Sequence, residues 1–450
     1  LASKSTVALA HHGRRTIDML TGQLAQRLCD VSKGTPIGDA FRSSWLPVLR
    51  VERLEAGGSP VPFTLLGEPF VAFRAANGEV AAFDEHCPHR GCSLAIAHPK
   101  DDSLVCVFHG WKFHVSGKCI ETPSEADPKF TSRVPLRSYP VREAGGALWV
   151  CLERKSPPPF PEFLFNQLPA DRLFARMGIC EYNWLTGVEG VLDPSHVGVL
   201  HADWVGVPPA VGAKVSQDVL LAGQNLAPKI EIEPTEYGFS YAAIRSLPDG
   251  QTHMRVHEYV APSGVFVGNS TTERQLFVCL VPIDSFSTIF WFFWFTPDGP
   301  MAPDIRAFAM QGTDLNDDDY CESLRGKAFW GQDRDKVSSH ESFAGLRSIL
   351  FEDIVAGEAQ GRWNEPKREF LGPSDAAIGY LRRYLLDRVP ETGPATLAHE
   401  GSVDYASIAG IAAVHGPSAD WKAWVAEERA RRKANLSQGA GSAKATVPAE

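Results

Sequence analysis

The sequence predicts an α+β protein of two successive parts: an all-β domain, then a larger domain in which an antiparallel sheet is segregated from its helices. Three observations predict it. Short β-rich runs separated by turn residues crowd residues 41–155. Ser156-Pro157-Pro158-Pro159 then interrupts the chain, because proline fixes φ and lacks the N–H that a central strand or helix needs. Beyond it, helix-like segments and long alternating segments occupy separate stretches.

Residues 1–40 read as an N-terminal extension and helix. The first eighteen carry His11, His12, Arg14 and Arg15 and no apolar core, which excludes a secretory signal. Position 1 is leucine and Met19-Leu20-Thr21 makes a natural start, so residues 1–18 are expected to stand outside the fold. In residues 41–155 the runs VPFTLLG, PFVAFRA, EVAAFDE, SLVCVFHGWKFHV and GALWVCLE alternate with Gly, Pro and Asp turns. Residues 156–435 open with a helix-like stretch near 181–201. The strand-like runs KIEIEP, GFSYAAIRS, THMRVHEYVAP, QLFVCLVPI and TIFWFFWFTP follow, then helical material around 301–390. A surface helix is expected at 418–434, and the Ala/Gly/Ser-rich residues 436–450 read as a disordered tail.

The 450 residues are 44% hydrophobic and 22% charged, an ordinary globular composition with enough chain for two or three packed domains. A formal charge of −10, with no Lys/Arg stripe, argues against a nucleic-acid partner. The most apolar run, TIFWFFWF at 288–295, is far short of a membrane span and reads as a buried strand. Nine scattered cysteines make a poor disulfide framework, so a reducing cytoplasm is expected.

Four of the candidate ligands form a pattern. Cys87-Pro88-His89 and Cys106-Val107-Phe108-His109 each supply one thiol and one imidazole, whereas zinc modules usually pair cysteine with cysteine and histidine with histidine. One of each per loop suits a Rieske [2Fe-2S] centre, in which two cysteines hold one iron and two histidines the other. Arg90-Gly91 and Gly110-Trp111 supply tight turns beside the ligands. Cys92 reads as a packed thiol, because the position from which a partner would reach it is Phe108, and His86, His98 and His114 read as surface or structural.

A second constellation lies in EYNWLTGVEGVLDPSHVGVLH, residues 181–201. His196 and His201 are separated by about 140° on a regular helix, so both reach one metal only if the helix breaks, and Asp193-Pro194 offers the break, with Asp193 as N-cap and Pro194 at the first helical position. Two histidines and one carboxylate make the facial triad of non-haem Fe(II) oxygenases. Asp193 suits a supporting contact to histidine better than a third bond from the same segment. Asp353, in Phe351-Glu352-Asp353-Ile354-Val355, is the candidate carboxylate, with Glu352 and Glu358 as rivals, while Asp317-Asp318-Asp319 reads as a solvated turn.

With LCDVSKGTPIGDAFRSSWLPV, CPHRGCSL, CVFHGWKF and FEDIVAGEAQGRWNEPKREFLGPSDAAIGYLRR, these segments resemble the Rieske non-haem iron aromatic-ring oxygenases, and within them the phthalate 4,5-dioxygenase-like α subunits, over about residues 19–390. The resemblance implies a β-sandwich Rieske domain and a helix-grip catalytic domain in trimers or stacked trimers. It implies one [2Fe-2S] cluster on Cys87, His89, Cys106 and His109, and one Fe(II) on His196, His201 and Asp353, with Asn183 close by. It also implies that Asp193 joins a mononuclear-site histidine to a cluster histidine of the neighbouring subunit, and that electrons come from NAD(P)H through a separate flavin and [2Fe-2S] reductase. Pro194 and Arg362-Trp363-Asn364-Glu365 depart from the familiar wording near substrate-facing regions.

The expected reaction is O2-dependent oxidation of an aromatic compound, an aryl carboxylate held by an Arg fork from Arg245 or Arg255. Rival readings are an O-demethylase of a methoxylated aromatic, an electron-transfer Rieske protein, for which about 100 residues would suffice, and an inactive structural homologue. No motif states whether a diol, a phenol or a demethylated ring is formed.

Overall fold

The computed structural model describes residue 20 and residues 22–153, 155–204, 217–269, 274–303, 306, 324–365, 369–393, 395, 397 and 403–442. Residues 1–18, the Asp317-Asp318-Asp319 run and positions 443–450 of the expected tail lie outside the described residues.

The N-terminal β domain contains three small sheets. One orders the strands Val61–Leu65, Glu68–Arg74, Val80–Asp84 and Ser138–Tyr139; a second orders His98–Lys100, Ser103–Val105, Lys112–His114 and Cys119–Glu121; the third sets Ala147–Cys151 between Trp45–Arg50 and Val141–Ala144. The strand Glu68–Arg74 shows why the run PFVAFRA is apolar on both faces. Side chains alternate across a strand. Phe70 and Ala72 enter the main core, while Val71 and Phe73 enter a second core under the Cys87 and Cys106 loops with Phe83, Leu104 and Phe113.

The catalytic part is built on an eight-stranded antiparallel sheet. Its order runs Leu173–Cys180, Thr288–Phe295, Gln275–Pro282, Gly264–Val267, Thr252–Val260, Gly238–Ser246, Lys229–Thr235, and Ile411–His415 pairs with Thr252–Val260. The TIFWFFWF run is an inner strand, as its apolarity requires. Ile289, Trp291, Phe293 and Phe295 are buried in the core, and Phe290, Phe292 and Trp294 line a cavity.

Two boundaries differ from expectation. Ser156–Pro159 does separate the sheets, but the core does not stop there: Trp149 stacks on Phe293 with centroids 5.8 Å apart, and the Leu66 N–H donates to the Pro282 carbonyl at 3.1 Å. The helices Gly22–Cys29 and Pro36–Arg42 are also part of this core, since Phe41 meets Trp184 edge-on at 4.9 Å and Trp184 Nε1 donates to the Leu28 carbonyl. At the other end the expected surface helix runs Trp421–Ser442, so residues 436–442 are helical where a disordered tail was expected. These residues, Leu436 to Ser442, include Gly439 and Gly441 and so carry little helix propensity of their own; they continue the helix begun at Trp421. No helix among the described residues is long and apolar enough to cross a membrane.

Candidate metal centres

The two cysteine loops share one backbone design despite their different spacing. The Gly91 N–H donates to the Cys87 carbonyl and the Gly110 N–H to the Cys106 carbonyl, each at 2.9 Å. The Cys87 N–H donates to Cys92 O and the Cys106 N–H to Trp111 O, at 2.8 and 2.9 Å. Both glycines have φ near +72°, the left-handed region that closes each turn without a Cβ clash. Cys87 and Cys106 are buried, whereas His89 and His109 are half-buried with rings 4.4 Å apart. Trp111 stacks on His89 at 4.3 Å, fixing its plane.

These residues fit a cluster with its sulfur ligands inward and its imidazoles outward. Burial pushes the Cys87 thiol up to about 12, against the His89 N–H that favours the thiolate, so a bound cation is what would keep it ionised. His109 Nδ1 is buried with no hydrogen-bond partner among the described residues, as a ligating nitrogen would be. Cys92 is a free thiol packed beside Cys106. His86 and His98 are exposed, and His114 pairs with Asp102 at 3.2 Å.

The second site depends on a helix that stops. Trp184–Leu192 ends at Asp193, whose extended backbone precedes Pro194, and a single 3-10 turn, His196–Gly198, follows. Asp193 is thus the C-cap of the first helix, not the N-cap of a second; its Oδ1 accepts the Ser195 N–H at 2.7 Å. The break sets the His196 and His201 rings 5.2 Å apart and nearly perpendicular. Asp353 comes from the helix Ile349–Ala359, N-capped by Ser348. Its Oδ1 lies 3.6 Å from His196 Nε2 and 3.2 Å from His201 Nε2, near the roughly 3–3.5 Å separation of donors sharing an ion at about 2.1 Å.

Behind the candidate ligands stand two more carboxylates. His201 Nδ1 is 2.7 Å from Glu352 Oε2, which is fully buried, and His196 Nδ1 is 3.6 Å from Asp193 Oδ2. Each imidazole therefore turns Nε2 inward and Nδ1 toward a carboxylate, the arrangement that orients metal-bound histidine. Burial opposes charge on His201, yet Asp353 and Glu352 push its pKa up to about 9, so the cradle favours a cation. Glu352 was expected only as a rival ligand. Glu358, the other rival, accepts the Glu181 N–H.

Two expected site residues lie elsewhere. Asn183 is the N-cap of Trp184–Leu192, at the opposite end from Asp193 and about 15 Å along the helix. Its Oδ1 accepts the Leu185 N–H and its Nδ2 donates to Cys29 O and Ser285 O, so the amide is spent on capping and tethering. Arg245 does not line the cavity; its guanidinium donates to the Pro194 and Asn225 carbonyls. It shares a sheet face with Arg255 but lies two register pairs further along, under the helix break, since Ala243 is opposite Arg255 and Arg245 opposite His253.

The cavity beside the triad measures about 300 Å³ and has an apolar wall of Leu276, Val278, Phe290, Phe292 and Trp294. Three buried arginines line it: Arg255, Arg176 and Arg274, the last with its guanidinium 5.4 Å over the Trp294 ring. The only lining carboxylates among the described residues are Asp193 and Asp353, both against histidines. Sequence reading missed Arg176 and Arg274. A lone arginine in the apolar strand LFARMGIC was the available signal.

Residues 44–140 match the Rieske [2Fe-2S] domain, and residues 153–442 match the LigXa C-terminal domain like family. The chain belongs to the Rieske non-haem iron oxygenases. As a member it combines a [2Fe-2S] domain with the catalytic domain that binds mononuclear iron in this family. This oxygenase is 32% identical to the 3-chlorobenzoate-3,4-dioxygenase oxygenase subunit of Comamonas testosteroni, over 80% of the chain and 86% of that subunit. It is 31% identical to the phthalate 4,5-dioxygenase oxygenase subunit of Pseudomonas putida, over 90% and 94%. It is 28% identical to the 5,5'-dehydrodivanillate O-demethylase oxygenase subunit of Sphingobium sp., over 82% and 80%. Its fold is also that of the terminal oxygenase of carbazole 1,9a-dioxygenase from Nocardioides aromaticivorans, with a TM-score of 0.54 at 19% identity, covering 82% of this chain and 97% of that one.

Proposed function

We propose that this oxygenase oxidises an aryl carboxylate, adding oxygen to the ring. The observation that carries the reading is the set of three buried guanidinium groups on a cavity whose remaining wall is largely apolar. An Arg fork matches a carboxylate in a low-dielectric site, and Phe290, Phe292 and Trp294 offer a flat wall for the ring. The aryl-acid names of two relatives, chlorobenzoate and phthalate, agree with it.

His196, His201 and Asp353 would hold the Fe(II), and Cys87, Cys106, His89 and His109 the cluster, which together supply O2 activation and single-electron delivery when bound. Glu352 and Asp193 hold the two imidazoles in the tautomer that presents Nε2. The arginines orient the carboxylate and the apolar wall excludes water around the ring. Asp193, whose side chain is 27% exposed, would also accept an imidazole N–H from a cluster histidine such as His109 of a neighbouring copy, which requires an oligomer, a trimer in our reading. A flavin and [2Fe-2S] reductase, alone or through a ferredoxin, would supply the electrons in the cytoplasm.

A second reading, O-demethylation of a methoxylated aromatic acid, is favoured by the O-demethylase relative and uses the same arginines. Turnover of a panel of aryl carboxylates and methoxyarenes with a surrogate reductase, scored by product identity, separates the two. Hydroxylated aryl acids are the expected products. Formaldehyde release from methoxyarenes, with plain aryl carboxylates inert, would overturn the ring-oxidation reading.

A further inference from the structure

The break between His196 and the preceding helix is held from beneath by two buried donors on one strand. Tyr241 and Arg245 lie four residues apart on Gly238–Ser246, hence on the same face, and are 0% and 1% exposed. Tyr241 Oη donates to the Leu192 carbonyl at 2.8 Å, and Arg245 Nη2 donates to the Pro194 carbonyl at 2.7 Å. These are the carbonyls on either side of Asp193. A helix that ends abruptly leaves such acceptors without intrahelical partners, and here the sheet supplies them. Arg245 Nε also donates to Asn225 O at 2.9 Å, tying the loop after the helix Gln217–Gln224 to the same point. Tyr241 in turn stacks on His257, which lines the cavity, with centroids 4.8 Å apart and planes 6° from parallel.

We propose that Tyr241 and Arg245 are positioning residues: by gripping the carbonyls of Leu192 and Pro194, the residues that flank Asp193, they aim the Asp193–His196 pair at the iron site. The inference rests on the reading of His196, His201 and Asp353 as the iron ligands. It also gives Arg245 a task different from substrate binding. Loss of either donor frees a carbonyl beside Asp193 and lets the pair rotate while the ligands themselves stay intact.

The test uses the full-length protein with cluster and iron loaded, in the variants Tyr241→Phe, Arg245→Met and Arg245→Lys. Tyr241→Phe keeps the ring stacked on His257 and removes only the hydroxyl. We expect an unchanged cluster spectrum, shifted Fe(II) ligand-field bands in near-infrared magnetic circular dichroism, KM within twofold, and kcat lower by about tenfold, the lower end for contacts that orient metal ligands. Arg245→Lys, which can still donate to Pro194 O, should recover most of the Arg245→Met loss. In an Asp193→Asn background Tyr241→Phe should add less than twofold, because both act through one carboxylate. Ligand-field bands and kcat per bound iron unchanged in Tyr241→Phe and Arg245→Met would overturn the proposal. So would a raised KM at constant kcat in Arg245→Met, which would return that residue to substrate binding. An Asp353→Ala variant that keeps its third iron would instead defeat the ligand assignment beneath it.

Discussion

The two metal-binding regions are built on opposite principles. The cluster loops are local: Cys87–Cys92 and Cys106–Trp111 each close on their own backbone with matching hydrogen bonds, and both rest on one small core. The proposed mononuclear site is a tertiary product, in which a broken helix brings His196 and His201 to Asp353 and Glu352 of a distant helix. A local site stands or falls with its own loops. A tertiary site depends on whatever holds its parts in register.

The comparison breaks most completely at a proposed ligand of the local site. His109→Ala is expected to abolish the Rieske visible absorption and all turnover, yet leave Fe(II) binding at the second site intact, because the two share no residue. Iron analysis with the absorption spectrum checks this; loss of both metals from a folded protein would contradict the separation.

Next in size is Glu352→Gln, which keeps the shape but weakens the contact at 2.7 Å to His201 Nδ1. Fe(II) affinity should fall by about 10–100-fold with the cluster unaffected, measured by chelator competition. Glutamine can accept the imidazole N–H through its carbonyl, so Glu352→Ala should be worse.

Arg255→Met and Arg274→Met should each raise KM for an aryl carboxylate by about 10–100-fold, from about 1.5–3 kcal/mol per lost charged hydrogen bond, with kcat changing much less. Steady-state kinetics on a carboxylate and on its carboxamide analogue separate charge recognition from packing, since the carboxamide should show little dependence on either arginine.

The smallest effect on chemistry is expected at Asn183. Asn183→Ala removes a helix cap and two tethers and should cost about 1–3 kcal/mol of stability, read in thermal unfolding, while kcat of the folded enzyme stays within twofold. A selective loss of kcat would move Asn183 back to the iron site.

How far the sequence could be read follows the same division. The α+β class, the all-β first domain and the Rieske oxygenase family were legible, because cluster ligands cluster in sequence and long alternating runs announce strands. Asp353 was picked out beside Glu352 and Glu358, but helical spacing does not say which of two adjacent carboxylates faces inward and which backs a histidine. Arg245 and Arg255 looked equivalent as strand arginines. Their separation into a backbone grip and a cavity wall comes from cross-strand register, which no local pattern encodes. Arg176 was hidden because its strand, Leu173–Cys180, follows the proline-rich linker and was not read as a strand. The continuity of the core across residues 156–159 was invisible for a similar reason, since Trp149 and Phe293 meet only in the folded chain.

The central claim is that His196, His201 and Asp353 form a metal site independent of the cluster. The most direct measurement is iron stoichiometry of Asp353→Ala together with its cluster spectrum. Two imidazoles alone hold Fe(II) weakly, so iron should fall from about three to about two per chain while the Rieske spectrum is unchanged and oxygenation is lost. A variant that keeps its third iron with an intact cluster would contradict the account and move the carboxylate ligand away from Asp353.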